Sequence, residues 1–119
     1  MSGITSGKIW GKTKNILLKE DVEAHHVNAI KGGVCSEHIH KLKVNFFFVI
    51  KGKLLIRIWK NGLVDDIILT DGEYTEVMPN QYHLFEALED TEFMEIYYRP
   101  SIEKDDIERR NNGYKKELV

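Results

Sequence analysis

Residues 32–52 read GGVCSEHIHKLKVNFFFVIKG, and the fold turns on how this stretch is read. Its second half, Val44–Ile50 (VNFFFVI), is aromatic and β-branched, the composition of a buried strand. Its first half carries His38 and His40, one residue apart. Alternate residues of a strand point to the same face, so an extended backbone projects both imidazoles together. Two imidazoles side by side are a ready pair of metal ligands, and a third can come from any strand passing opposite. His83, just after Pro79-Asn80-Gln81-Tyr82 and just before the apolar Leu84-Phe85, is the candidate. A His-x-His pair in an arbitrary β-protein is usually solvated surface, so its surroundings must carry the argument.

Outward from this stretch the chain breaks into short segments separated by turn residues. Lys51-Gly52 ends the first strand, and Lys53–Lys60 (KLLIRIWK) follows with Leu54, Ile56 and Ile58 on one face. Asn61-Gly62 is the strongest hairpin signal, because both central positions of such a turn need positive φ. Leu63–Thr70 returns antiparallel and Asp71-Gly72 turns again; Glu73–Met78, His83–Ala87 and Thr91–Tyr98 complete the downstream strands. Upstream, Val22–Ile30 reads as a strand ending at Lys31-Gly32-Gly33. Short strands at close turn spacing predict an all-β sandwich or barrel. The tail from Ser101 is polar and charged; Ser101 can cap a short helix through Ile107, which Asn111-Asn112-Gly113 would end. The expected organisation is one barrel domain over residues 1–100 and a polar, helical or irregular tail over 101–119.

Composition narrows the function classes. Of 119 residues, 42% are hydrophobic and 30% charged, ordinary values for a globular domain large enough to bury a core. Seventeen basic against nineteen acidic residues give a net charge of −2, without the basic excess of a nucleic-acid binder. The longest apolar run, Val44 to Ile50, is too short to span a bilayer as a helix. Cys35 is the single cysteine, so no intrachain disulfide forms, and with no signal-like N-terminal block the expectation is a reducing, cytoplasmic setting.

Gly32, five residues, His38, one residue, His40, four residues, Asn45, six residues, Gly52: this spacing resembles the first signature motif of the cupin superfamily. The second motif is approximated by Gly72, Pro79 and His83 in DGEYTEVMPNQYHLFEA, with Gln81 or Tyr82 where a glycine usually precedes the histidine. The resemblance covers about residues 20–98. It implies a double-stranded β-helix, the cupin jelly-roll barrel, with one divalent metal ion on His38, His40 and His83. Zn, Mn, Fe and Ni all suit imidazole ligands, so the ligand set leaves the metal open. Asn45 stands where the motif carries a glutamate: its carbonyl oxygen can ligate, or it can hydrogen-bond a neighbouring histidine instead. Its neutrality removes a negative charge from the site and should lower affinity for a hard ion such as Mn²⁺.

Other residues are weighed beside these. Glu95 shares a strand face with Phe93 and Tyr97; the commoner reading of such a glutamate is outward-facing and solvated, the alternative an inward carboxylate needing a partner. Of His25 and His26 at most one can enter a barrel, and His26, in line with Val22, Ala24 and Ile30, is the one that could line a pocket. Cys35 reads as a small buried residue before it reads as a soft ligand.

Cupins span isomerases, epimerases, dioxygenases, decarboxylases and binding modules, so fold does not fix function. Lys8-Ile9-Trp10-Gly11 and Asp105-Asp106-Ile107-Glu108-Arg109 resemble small single-domain cupins related to the type II phosphomannose isomerase domain. That resemblance implies a sugar or sugar-phosphate isomerase or epimerase acting on a small-molecule substrate. Glu37, Glu86 and Glu95 are the candidate bases, and Arg57 and Lys43 the candidate phosphate contacts. A non-catalytic metal-dependent sensor or ligand-binding module and an iron-dependent dioxygenase are the alternatives. Small cupins commonly pair, so a homodimer is expected, with Ile4, Ile9 and Trp10 able to add to a partner's sheet edge. No nucleic-acid or membrane partner is expected.

Overall fold

The computed structural model describes residues 5–99, 108, 110–113, 115 and 116. The helix expected over Ser101–Ile107 lies outside them, as does Ile4. Among the described residues nine strands are formed: β1 (Thr5–Lys8), β2 (Gly11–Leu18), β3 (Val22–Ala29), β4 (Val44–Lys51), β5 (Lys53–Lys60), β6 (Leu63–Thr70), β7 (Tyr74–Val77), β8 (His83–Ala87) and β9 (Thr91–Tyr98). They make two antiparallel sheets, one ordered β1-β2-β3-β9-β4-β7 and one ordered β6-β5-β8. The expected all-β jelly-roll barrel is the architecture observed.

The hairpin β5–β6 runs over the residues expected for it. Asn61 and Gly62 take φ values of 50° and 78°, the conformation that matches the right-handed twist of the flanking strands. β1 and β2 were not expected. Lys12 and Lys14 point outward, Ile16 to Leu18 are exposed, and a bulge between Asn15 and Leu17 breaks the alternation that would have marked β2. Trp10, at the turn between β1 and β2, packs on its own barrel rather than toward a partner: its ring meets Phe85 edge-on at 4.9 Å. A side chain on Gly33 would place Cβ 2.7 Å from the Trp10 carbonyl oxygen and 2.8 Å from Trp10 Cβ, so only glycine lets the hairpin tip and this loop approach so closely.

His38 and His40 also sit differently from expectation, on the loop between β3 and β4 rather than in a regular strand. The loop is extended by pairing with β8. Cys35 N–H donates to the Phe85 carbonyl at 3.1 Å, and His38 and His83 exchange backbone hydrogen bonds of 3.0 and 2.9 Å. That ladder gives the two imidazoles the common side that a strand would have given them.

Register sorts the interior by polarity. Val27, Phe93 and Val49 lie opposite one another across β3, β9 and β4, all fully buried. Two residues along, the row is His25, Glu95 and Phe47; two further, it is Glu23, Tyr97 and Asn45. The second sheet repeats the gradient, Ala87 beside Leu54, Phe85 beside Ile56 and His83 beside Ile58. The barrel thus has an apolar end and a polar one.

Candidate metal centre

The polar end gathers His38, His40 and His83. Their ring centroids lie 4.9 Å (38–40), 4.3 Å (38–83) and 5.4 Å (40–83) apart, and one ring nitrogen of each falls within 4.8 Å of the others. Backbone carbonyls set two of the tautomers. His38 Nδ1–H donates to the Ser36 carbonyl at 2.7 Å and His83 Nδ1–H to the Gln81 carbonyl at 2.9 Å, leaving Nε2 of each ring with its lone pair. His40 Nε2 is buried and has no hydrogen-bond partner. Burial pushes the His83 imidazole down to about 4, with the neighbouring His38 and His40 acting in the same direction. His40 is lowered too, by burial and then by His38 and Lys43. At neutral pH both of these rings are therefore neutral and able to donate a lone pair.

Asn45, fully buried on β4, tests whether a cation fits here. Its Nδ2–H₂ is turned to the Glu95 carboxyl at 3.4 Å, which leaves Oδ1 facing His83 Nε2 at 2.9 Å. With the His83 proton on Nδ1, that contact brings two acceptors together. Two lone pairs at this separation, beside an orphaned buried imidazole nitrogen, are unfavourable alone and favourable around a positive ion. The donor set, three imidazole nitrogens and one amide oxygen, fits a divalent transition metal.

Beside the triad opens a cavity of about 700 Å³, walled by His38, His40, Glu23, His25, Glu95 and Tyr97 among others. Several expectations are corrected by it. Glu95 faces inward and is buried, and burial raises its carboxyl above the usual range. His25, not His26, lines the cavity, because β3 turns Glu23, His25, Val27 and Ala29 inward; His26 faces outward and binds Glu92 at 2.6 Å. Arg57 is outside the cavity, forked onto Asp66 at 2.8 and 2.9 Å, so it is no phosphate contact. Lys43 does line the cavity. Of the three candidate bases only Glu95 lines it. Cys35 is buried with Sγ accepting from Phe85 N–H at 3.1 Å, and burial pushes its thiol up to about 11.

The sequence reading missed Glu23 and His25. The only signal was the alternation of β3, and it favoured the wrong parity: Val22, Ala24 and Ile30 outnumber the apolar residues Val27 and Ala29 in line with His25.

No family model matches the sequence, and no curated protein matches it. Solved structures do. KdgF from Halomonas sp. matches with a TM-score of 0.71 at 19% identity, over 87% of this chain and 89% of that one. Oxalate decarboxylase from Bacillus subtilis matches with a TM-score of 0.74 at 15% identity, over 87% of this chain but 29% of that one. CapF, solved with the inhibitor 3-isopropenyl-tropolone, matches with a TM-score of 0.69 at 19% identity, over 80% of this chain and 29% of that one. These likenesses give the chain the cupin jelly-roll fold.

Proposed function

We propose that the chain is a metal-dependent cupin enzyme that holds one divalent transition metal on His38, His40 and His83, with Asn45 as a fourth, neutral ligand, and acts on a small molecule in the adjoining cavity. The observation that carries this reading is the set of three converging imidazoles, one of them with a nitrogen buried without a partner. A metal there supplies Lewis-acid polarisation of a carbonyl or hydroxyl oxygen. Sugar isomerisation or epimerisation is the reaction class favoured. A phosphorylated substrate finds less support, since Arg57 is committed to Asp66 and Lys43 lies 3.6 Å from Glu23. Oxalate decarboxylase has been described with Mn(II) centres, yet the uncharged ligand set of this chain favours softer ions such as zinc or iron. Iron with oxygen uptake would move the reading to a dioxygenase, and metal without turnover to a binding module.

Elemental analysis of tag-free protein tests the site. About one metal ion per chain is expected, and a His38→Ala/His83→Ala double variant should lose it; protein that takes up no metal after reconstitution overturns the reading. A homodimer belongs to the same proposal. Among the described residues β1 is an edge strand of the larger sheet, and its outward backbone groups can accept a second copy. A strictly monomeric mass at high concentration removes it.

A further inference from the structure

We propose that His25, held by Glu23, is the proton-transferring group of this cavity, acting on a small α-hydroxy carbonyl compound. His25 Nε2–H donates to Glu23 Oε2 at 2.6 Å, which fixes the ring and leaves Nδ1 as the nitrogen with a lone pair. Among the described residues Nδ1 has no hydrogen-bond partner. The Tyr97 ring adjoins both this pair and the triad, its centroid 6.0 Å from His25 and 4.9 Å from His40. His25, His38 and His40 line the same cavity.

Stability does not explain an imidazole and a carboxylate on this face. Val27, two residues along the same side of β3, is fully buried and shows what the barrel places there when packing alone decides. The carboxylate is instead kept ready. Burial raises Glu23, but the His25 hydrogen bond and charge and the nearby Lys43 outweigh it and hold the group below its usual range. The other titratable groups facing His25 are Glu95, opposite it on β9, and Tyr97 beside it; Lys43 reaches in from the loop before β4 and Lys8 from β1. From β2, Asn15 lies opposite His25 and brings no charge.

The chemistry balances without any redox partner. His25 takes, on Nδ1, the proton from the hydroxyl-bearing carbon next to the carbonyl. The C–H electron pair moves into the carbon–carbon bond, and the carbonyl π pair moves onto oxygen. The proton of the adjoining hydroxyl passes to that oxygen, and the hydroxyl oxygen's electron pair forms the new carbonyl. The carbon–carbon π pair takes the proton back from the imidazolium onto the former carbonyl carbon, which restores the imidazole and moves the carbonyl by one position. Glu23 is a positioning residue that holds the tautomer and stabilises the imidazolium. The inference rests on the metal reading above, because such a carbon acid needs a polarised carbonyl.

Dihydroxyacetone in D₂O is a sufficient probe, with loss of its C–H signal followed by proton NMR on the zinc-reconstituted chain. Wild type should exchange the proton. His25→Gln should slow exchange roughly 100-fold or more with metal content unchanged. Glu23→Gln should slow it less, lowering the maximal exchange rate while leaving metal content and the half-saturating dihydroxyacetone concentration unchanged, a split that a merely structural role would not produce. Metal-loaded wild type that exchanges nothing overturns the inference, and so does His25→Gln exchanging at the wild-type rate. Glu23→Gln exchanging at the wild-type maximal rate removes the role of Glu23. Wild type that binds no metal fails the earlier reading first, and elemental analysis distinguishes that case.

Discussion

Where β5 sets Leu54 beside Ala87, the barrel interior is close-packed hydrocarbon, joined by Val27, Phe93 and Val49 from the other sheet. About four residues away along the same strands, where β5 sets Ile58 beside His83, the interior holds Asn45, Glu23, Tyr97 and three imidazoles. The first end gains from burial in proportion to apolar area. The second end carries buried polar atoms whose hydrogen bonds are long or missing, His40 Nε2 above all. The contrast teaches that the polar end is tolerated for what it can bind, while the apolar end keeps it in shape.

Three measurements can break or sharpen that contrast. The largest effect should come from the apolar end. Phe93 is fully buried and meets Phe85 at 5.2 Å, so Phe93→Ala should cost about 3–5 kcal/mol in urea unfolding. A cost well below this would mean that the core collapses around the loss and is not the frame of the barrel. Next comes acid. The folded His83 sits at about 4 against an ordinary 6.5, so the unfolded chain binds a proton across that window and the folded chain does not. Metal-free protein should therefore lose stability as pH falls from 6.5 toward 4, and His83→Gln should flatten the slope. A urea midpoint that holds steady over that range would show the polar end to be unstrained. The smallest effect is the most diagnostic. Asn45→Leu removes the acceptor that faces His83, and should leave metal-free protein equally stable or more so by about 1 kcal/mol. The same variant should weaken metal binding by roughly 10–100-fold. If Asn45→Leu instead destabilises the metal-free chain, the polar end is built for stability after all.

The sequence made the strands legible where turns were explicit. Asn61-Gly62 located β5 and β6 to the residue, because positive φ at both positions is a local requirement that the chain satisfies on its own. β2 was not legible, since its exposed lysines and bulge suppress the alternation that burial writes into a strand. The triad could be read from His-x-His and the spacing to His83, although the extended backbone it needs comes from pairing with β8 and not from a strand of its own. Glu23 and His25 could not be read. Which face of β3 turns inward depends on its register with β9, a long-range choice that a pattern of comparable parity on both faces does not reveal.

The contact of Trp10 with Phe85 has an optical consequence. The indole is pinned through Gly33 to the loop that carries His38 and His40, and it forms part of the cavity wall. The other tryptophan, Trp59, sits on a strand position facing away from the core. Fluorescence from Trp10 is therefore an intrinsic gauge of what enters the cavity, and in a Trp59→Phe background it would give a label-free titration signal for ligands still to be identified.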